Sequence, residues 1–147
     1  MRKKTKVIIL GSGLVGAPMS VDLAKDSFCG VTAVDIDANT LNSLEKENYP
    51  IKTIQEDLSN TDRLKNLLEP YDFVISAVPG YMGFQTLKAV IEAKKNVVDI
   101  AFFSEDPFLL DDLAKRNDVT AIVDCGVSPG MSSILAGYVE WMLEGNA

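Results

Sequence analysis

The sequence predicts an α/β fold in which helices cover both faces of a doubly wound parallel sheet of six strands. Short runs rich in Val and Ile alternate with longer amphipathic segments along the whole chain, as in repeated β-α units. Three glycines directly follow the first apolar run. The length of 147 residues, with 47% hydrophobic and 24% charged residues, is typical of one globular domain.

Six segments are predicted to be strands, and each of the first five is followed by a predicted helix. The strands are expected at residues 6–10, 31–35, 51–54, 73–77, 96–99 and 120–124. The helices are expected at residues 15–25, 38–46, 61–68, 84–94 and 107–115, and a further apolar helix at 129–144. Asp37 and Asn60 are predicted helix caps. The usual strand order for this pattern, 3-2-1-4-5-6, predicts a ligand crevice between strands one and four.

The glycine motif follows the first strand and opens the first helix, which is the context of a dinucleotide-binding Rossmann fold. Its six residues are all predicted to lie at the cofactor: Gly11, Ser12, Gly13, Leu14, Val15 and Gly16. We expect Gly11 to permit the tight turn, Gly13 to admit a pyrophosphate, and Gly16 to let the helix pack closely on the strand. The helix amides would then face the anion.

Asp35 predicts the identity of the cofactor. It lies 19 residues after Gly16, at the end of strand two, where an acid accepts the ribose hydroxyls of adenosine. A carboxylate there repels a 2′-phosphate, and the neighbouring Ile36, Asp37 and Ala38 offer no cation to hold one. We therefore expect NAD in preference to NADP, with Ile36 beside the adenosine.

Other strand ends supply the remaining candidates. Asp57 follows strand three and is either an adenine-binding residue or an ordinary loop acid. Small and apolar residues end strand four, so Ala77, Val78 and Pro79 are expected to contact the cofactor through their backbones. Asp99 ends strand five and either faces the nicotinamide or orders a loop.

The composition excludes several functions. A net charge of −7 with scattered basic residues argues against nucleic-acid and membrane partners. The basic start at residues 1–4 lacks the apolar run of a signal peptide, and a cytoplasmic location is expected. With no histidine, His-dependent catalysis and His-containing metal sites are excluded, and no metal is expected. No catalytic acid or base can be assigned.

Several apolar side chains are expected to be buried. Cys29 and Cys125 lie beside strand-like residues without metal-ligand spacing, so we expect them to pack as small hydrophobic groups. Aromatic residues near strand ends usually pack, so the same is expected of Phe102, Phe103 and Phe108.

Three segments resemble the saccharopine dehydrogenase family, in particular its lysine 6-dehydrogenase-like branch. They are residues 7–16 (VIILGSGLVG), 77–83 (AVPGYMG) and 124–135 (DCGVSPGMSSIL), with residues 96–100 (NVVDI) also in the expected place. The resemblance extends from the first strand to the final helix. It covers only the amino-terminal NAD(P)-binding domain of that family.

The resemblance implies hydride transfer between a nicotinamide cofactor and an amino acid or amine of the lysine or saccharopine type. Residues 1–127 would be the dinucleotide-binding domain, and residues 128–147 would connect to a second domain that supplies substrate and homodimer contacts. A polyamine dehydrogenase of the homospermidine or carboxynorspermidine type, or a non-catalytic NAD-sensing module, is the alternative. Binding of S-adenosylmethionine is disfavoured because the motif and Asp35 suit a pyrophosphate-linked ribose.

Overall fold

The computed structural model describes residues 4–145 and contains one six-stranded parallel sheet. The strand order is β3-β2-β1-β4-β5-β6, as predicted. The strands are β1 Thr5–Leu10, β2 Cys29–Asp35, β3 Ile51–Gln55, β4 Phe73–Ser76, β5 Asn96–Asp99 and β6 Ala121–Ile122. The helices are α1 Gly16–Ala24, α2 Ala38–Glu45, α3 Thr61–Leu68, α4 Gly80–Glu92, α5 Asp111–Asn117 and α6 Met131–Leu143, with a 3₁₀ turn at Pro107–Leu110.

The core lies on both faces of the central strands. Residues 7–10 of β1 are buried between β2 and β4, because a parallel strand in the middle of the sheet is covered on both sides. Helices α3 and α4 contribute the largest buried side chains of one layer, among them Leu64, Leu68, Leu87 and Ile91. The carboxyl ends of β1 and β4 therefore stand side by side on a rigid base.

Both predicted helix caps are confirmed. The Asp37 carboxylate accepts a hydrogen bond from the backbone N–H of Asn39 at 2.9 Å, and α2 begins at the next residue. The Asn60 side chain accepts one from the backbone N–H of Arg63 at 3.1 Å and starts α3. Each bond satisfies an amide that has no partner within its helix.

Three elements differ from the prediction. Helix α4 begins at Gly80 and not at residue 84, because Pro79 stands at its N-cap with extended ψ. A β-carbon at Gly80 would lie 2.0 Å from the carbonyl oxygen of Phe102, so close packing requires glycine here although glycine is a weak helix former. Strand β6 has only two residues, and the predicted helix at 107–115 is a 3₁₀ turn followed by α5.

Several side chains that were expected to be buried are exposed. Phe102 and Phe108 are 71% and 79% exposed, and Cys125 is exposed as well, so those three predictions were wrong. The two aromatic rings lie in a segment that projects from the carboxyl edge of the sheet. Phe103 does pack, with its ring centroid 5.9 Å from that of Phe84. Cys29 is half-buried.

Helix α6 differs from the other helices because all its residues are exposed. Its surface is apolar, and the rings of Tyr138 and Trp141 stack with centroids 6.0 Å apart. Across residues 4–145, none of the helices combines the length and the apolar character needed to span a membrane. Residues 1–3 of the basic start and residues 146–147 of the predicted connecting segment lie outside the described part.

Candidate cofactor site

Two of the three motif glycines are required by backbone packing. Gly11 has a φ of +90°, and a β-carbon there would lie 2.6 Å from the carbonyl oxygen of Ala77. At Gly16 a β-carbon would lie 1.9 Å from the carbonyl oxygen of Gly11. The turn after β1 is therefore pressed against the end of β4, and α1 is pressed against the turn, as the motif predicts.

Gly13 has the opposite environment. It is exposed, and a β-carbon built there meets no atom of the described chain within 4 Å. Within the described residues, the first turn of α1 has no side-chain cap and no acidic residue. The open space above Gly13 and the uncapped amides fit an anionic group, such as a pyrophosphate, at the helix N-terminus.

Asp35 joins the end of β2 to this turn. Its Oδ2 accepts a hydrogen bond from the backbone N–H of Ser12 at 2.7 Å, and its Oδ1 accepts one from the N–H of Asp37 at 2.9 Å. Each carboxylate oxygen retains a lone pair for another donor. The carboxylate is thus held in one orientation and remains partly exposed to accept ribose hydroxyls.

A cavity of about 360 Å³ extends from Asp35 along the carboxyl edge. It brings together six predicted site residues, namely Gly11, Asp35, Ile36, Asp57, Val78 and Pro79. Ile36, which is exposed, and Val78, which is buried, both line the cavity and give it the apolar surface that a planar base needs.

Sequence reasoning missed several lining residues of this cavity. They include Glu56 and Leu58 after β3, and Tyr81 and Met82 in the first turn of α4. Tyr81 is 86% exposed. An aromatic residue directly after the Pro-Gly pair at the strand-order reversal was the available signal, but the late predicted start of α4 concealed it.

Asp57 is exposed and ionised at the far end of the cavity. Hydrogen bonds from the side chain and backbone of Ser59 lower the pKa of the Asp57 carboxyl, and the Ser59 N–H lies 2.9 Å from its Oδ1. Asp57 therefore orders its own loop and also lines the cavity, and its contact with adenine stays a prediction.

The remaining motif residues lie on the other side of the turn. Ser12, Gly13 and Leu14 line an open groove between α1 and α2, and the Leu14 side chain is almost fully exposed. Val15 is half-exposed at the N-cap of α1. Backbone N–H groups of such a glycine-rich turn are the groups that bind phosphate.

Asp99 lies behind the crevice and does not line it. Its exposed fraction is 0%, and its Oδ1 accepts a hydrogen bond from the backbone N–H of Ala101 at 2.7 Å. Of the two roles left open for it, the loop-ordering one fits this geometry. Direct contact with the cofactor does not, because no side-chain surface is accessible. Among residues 4–145, no group of three or more His, Cys, Asp or Glu side chains is arranged to hold a metal ion.

The sequence matches a protein family described as the saccharopine dehydrogenase NADP binding domain, over residues 7–122. The rat mitochondrial alpha-aminoadipic semialdehyde synthase is 30% identical over 137 residues, which are 92% of this chain and 15% of that protein. The NADP(+), L-glutamate-forming saccharopine dehydrogenase of Pyricularia oryzae is 30% identical over 133 residues, 88% of this chain and 29% of that protein.

Solved structures show the same architecture. The L-Glu-forming saccharopine dehydrogenase of Saccharomyces cerevisiae matches 90% of this chain and 29% of its own, with a TM-score of 0.79 and 26% identity. The scyllo-inositol dehydrogenase of Lactobacillus casei, solved with NAD(H), matches 82% of this chain and 36% of its own with a TM-score of 0.63; at 18% identity it shows the shared fold alone. The chain thus spans less than a third of the length of the saccharopine-related proteins it matches.

Proposed function

Because this chain belongs to the family of saccharopine dehydrogenase NADP-binding domains, we propose that it binds NAD as the cofactor domain of an amino-acid dehydrogenase. The substrate class we propose is an amino acid or secondary amine of the lysine or saccharopine type. Two relatives whose names refer to saccharopine and to aminoadipic semialdehyde support this class.

One observation carries the proposal. The 2.7 Å hydrogen bond from the Ser12 N–H to the Asp35 carboxylate fixes a ribose acceptor beside an open glycine turn. A pyrophosphate over Gly13 and a ribose at Asp35 are adjacent groups of one dinucleotide, so a single ligand satisfies both features.

In this proposal, the cofactor supplies the hydride chemistry and the chain binds and orients the cofactor. When bound, the nicotinamide accepts or donates a hydride, which is chemistry that no side chain of the protein supplies. The chain's own residues bind and orient: the α1 amides hold the pyrophosphate, Asp35 holds the adenosine ribose, and Val78 and Pro79 line the crevice toward the second half of the sheet.

Electrostatics support NAD over NADP. Asp35, Glu56 and Asp57 all line the adenosine cavity, and a 2′-phosphate there would meet three acids. The nearby basic residue Arg63 is paired with Glu56, with Nη1 3.5 Å from Oε1. The family description and the name of the Pyricularia oryzae relative refer to NADP, so this preference distinguishes our proposal from the family description.

Calorimetric titration with NAD⁺ and NADP⁺ tests the proposal. The wild-type chain should bind NAD⁺ at least about tenfold more tightly than NADP⁺, and Asp35→Asn should lower the NAD⁺ affinity by about 10- to 100-fold, the value of hydrogen bonds to a charged acceptor. The affinity for NADP⁺ should stay equal or rise in the variant, because a repulsive charge is removed.

Asp37→Asn is the matched control. It removes the same charge two residues away while an Asn retains the helix cap, so a general change in net charge would affect both variants equally. Equal or tighter binding of NADP⁺ by the wild-type chain would overturn the preference for NAD. A folded chain that binds neither dinucleotide would overturn the cofactor assignment itself.

Helix α6 supports a second part of the proposal. Its apolar side chains, Met131 to Leu143, are exposed in the described chain, as expected of a segment that packs against a further domain. We propose that residues 128–147 connect to such a domain and that the protein dimerises through it. Sedimentation should then find the 147-residue chain monomeric. A dimer formed by this chain alone would contradict dimerisation through the further domain.

The cytoplasmic location and the absence of nucleic-acid and membrane partners stay predictions.

A further inference from the structure

Three loops converge on Asp99 at the carboxyl ends of β4, β5 and β6. Its backbone carbonyl accepts a hydrogen bond from the N–H of Cys125 after β6, at 3.3 Å. The next residue, Ile100, donates to the carbonyl of Ser76 at the end of β4, at 3.1 Å. In a dinucleotide fold this half of the sheet receives the nicotinamide mononucleotide, so Asp99 lies beneath that part of the crevice.

The side chain of Asp99 faces that of Ser76. The two residues are register partners in adjacent strands, and both are fully buried. Within the described chain, neither the Oδ2 of Asp99 nor the Oγ of Ser76 forms a hydrogen bond of normal geometry. Two buried polar atoms that face each other without a well-formed hydrogen bond are costly, so their presence here calls for an explanation.

Burial governs the charge of this carboxyl group. Removal from water raises the pKa of Asp99 to about 6, against the lowering effect of the Ala101 N–H and the Ser76 hydroxyl. The carboxylate of Asp124, after β6, raises it further by repulsion. Asp124 and Ser76 are the described groups that act on Asp99 from the neighbouring strands, and both sit at the same edge of the sheet.

We propose that Asp99, with Ser76, is a positioning residue that sets the loops of the nicotinamide half and, when ionised, favours the oxidised cofactor over the reduced one. This inference rests on the proposed function, because it concerns the same dinucleotide. The oxidised nicotinamide ring carries a positive charge, whereas the reduced ring is neutral. Because Asp99 is buried below the part of the crevice that would receive the ring, its carboxylate would attract the oxidised form and not the neutral one, and low dielectric would strengthen the attraction.

The effect of Asp99 ionisation on cofactor binding and the effect of cofactor binding on the pKa of Asp99 are thermodynamically linked. If ionised Asp99 favours oxidised cofactor, then oxidised cofactor lowers the pKa of Asp99 by the same free energy. A shift of one pKa unit corresponds to a change of about tenfold in relative affinity between the two protonation states. For a shift of one unit from a pKa of about 6, the ratio of NAD⁺ to NADH affinity should rise by about fivefold between pH 5 and pH 7.5.

The first experiment uses the chain without cofactor. Carbon-13 NMR of the Asp carboxyl groups should show one titration near pH 6 that disappears in Asp99→Asn. Ser76→Ala should move that titration to higher pH, because the hydroxyl stabilises the charged form. A spectrum in which no titration near pH 6 is lost in the Asn variant would overturn the proposal.

The second experiment measures NAD⁺ and NADH affinities at the two pH values. Asp99→Asn keeps the acceptor for Ala101 and cannot ionise, so its affinity ratio should not change with pH. Asp118→Asn is the control, because Asp118 precedes β6 at the opposite edge and has a φ of +55°, which Asn tolerates. This variant should retain the wild-type pH response.

The two experiments separate the possible failures. A normal Asp99 titration with no binding of either dinucleotide at any pH would reject the proposed function and the cofactor part of this inference together. Binding with the same pH response in wild type and Asp99→Asn would reject the role of Asp99 alone. A merely structural Asp99 would change the affinities of both forms equally and leave their ratio unchanged.

Discussion

The two halves of the sheet use the same local motif for different purposes. Asp35 ends β2 and Asp99 ends β5, and each accepts the backbone N–H two residues further on, at 2.9 Å and 2.7 Å. In the half proposed to bind adenosine, β1–β3, which is called the adenosine half, the second oxygen of Asp35 accepts the Ser12 N–H and remains partly exposed. In the half proposed to receive nicotinamide, β4–β6, which is called the nicotinamide half, the second oxygen of Asp99 is buried without a well-formed hydrogen bond in the described chain.

This difference shows that the residue type at a strand end does not decide its role. An acid that water can reach accepts a ligand hydroxyl, whereas an acid covered by loops responds to charge and holds those loops. Burial separates the two cases. At Asp99, the loop after β5 donates the Ala101 N–H to the carboxylate and the loop after β6 donates the Cys125 N–H to the backbone carbonyl.

The largest expected effect on stability comes from adding a β-carbon to a closely packed glycine in each half. Gly16→Ala would place a β-carbon 1.9 Å from the Gly11 carbonyl oxygen, in the adenosine half. Gly83→Ala would place one 2.5 Å from the ring of Phe103, in the nicotinamide half. Because backbone cannot give way as a ring can, we expect Gly16→Ala to lower the free energy of unfolding by about 3 kcal/mol and Gly83→Ala by less.

Urea unfolding followed by circular dichroism measures both changes. Gly13→Ala is the control, because its β-carbon meets no atom of the described chain within 4 Å. Its stability should stay within about 0.5 kcal/mol of wild type, while NAD⁺ binding weakens because the methyl group occupies the space above the turn. A Gly13→Ala chain that binds NAD⁺ normally would show that the pyrophosphate lies elsewhere.

The pH dependence of stability gives the next largest effect. The folded-state pKa of Asp99, about 6, is above the ordinary value of 3.8, so the folded chain binds more protons between these values. The contribution of Asp99 to the free energy of unfolding should therefore fall as pH rises from about 4 to about 7, by at most about 3 kcal/mol. In Asp99→Asn this decline is absent.

Unfolding in urea at several pH values measures the decline. The contribution of Asp37, in the adenosine half, to stability should change with pH in the opposite direction, because the hydrogen bond from the Asn39 backbone lowers the pKa of Asp37. Its stabilising contribution is present above 3.8 and is lost as pH falls through its folded-state pKa. Wild type and Asp99→Asn with parallel stability profiles would contradict the buried-acid interpretation.

The adenosine half could be predicted from sequence in more detail than the nicotinamide half. Gly16, Asp37 and Asn60 act within a few residues of the chain, and their local spacing predicted their packing and capping. The nicotinamide half depends on contacts between distant segments. The need for glycine at position 80 follows from the Phe102 carbonyl, more than 20 residues away in sequence, which no local pattern reports.

Helix caps should show a smaller difference between the halves. Asp37 caps the two-turn helix α2, whereas Asp106 caps only the 3₁₀ turn at Pro107–Leu110 through the N–H of Phe108. Asp37→Ala should lower the free energy of unfolding by about 1 kcal/mol, and Asp106→Ala by less, because fewer ordered residues depend on that cap. Asp37→Ser should recover most of the loss. An equal loss for the two Ala variants would show that the 3₁₀ turn is as tightly coupled to the core as α2 is.

The exposed aromatic ring of Phe102 provides the smallest expected effect on stability. Truncation of a buried Phe costs about 3–5 kcal/mol, but a 71% exposed ring has little apolar surface to lose. Phe102→Ser should therefore change the free energy of unfolding by no more than about 0.5 kcal/mol, whereas Phe103→Ala, which removes a ring packed on Phe84, should cost several times more. Urea unfolding of the two variants measures both values. The Phe102 carbonyl, and not its ring, contacts Gly80, so the substitution leaves that contact in place. A large loss of stability in Phe102→Ser would therefore mean that the ring covers the core in solution and that the nicotinamide half is more closed than in the structure.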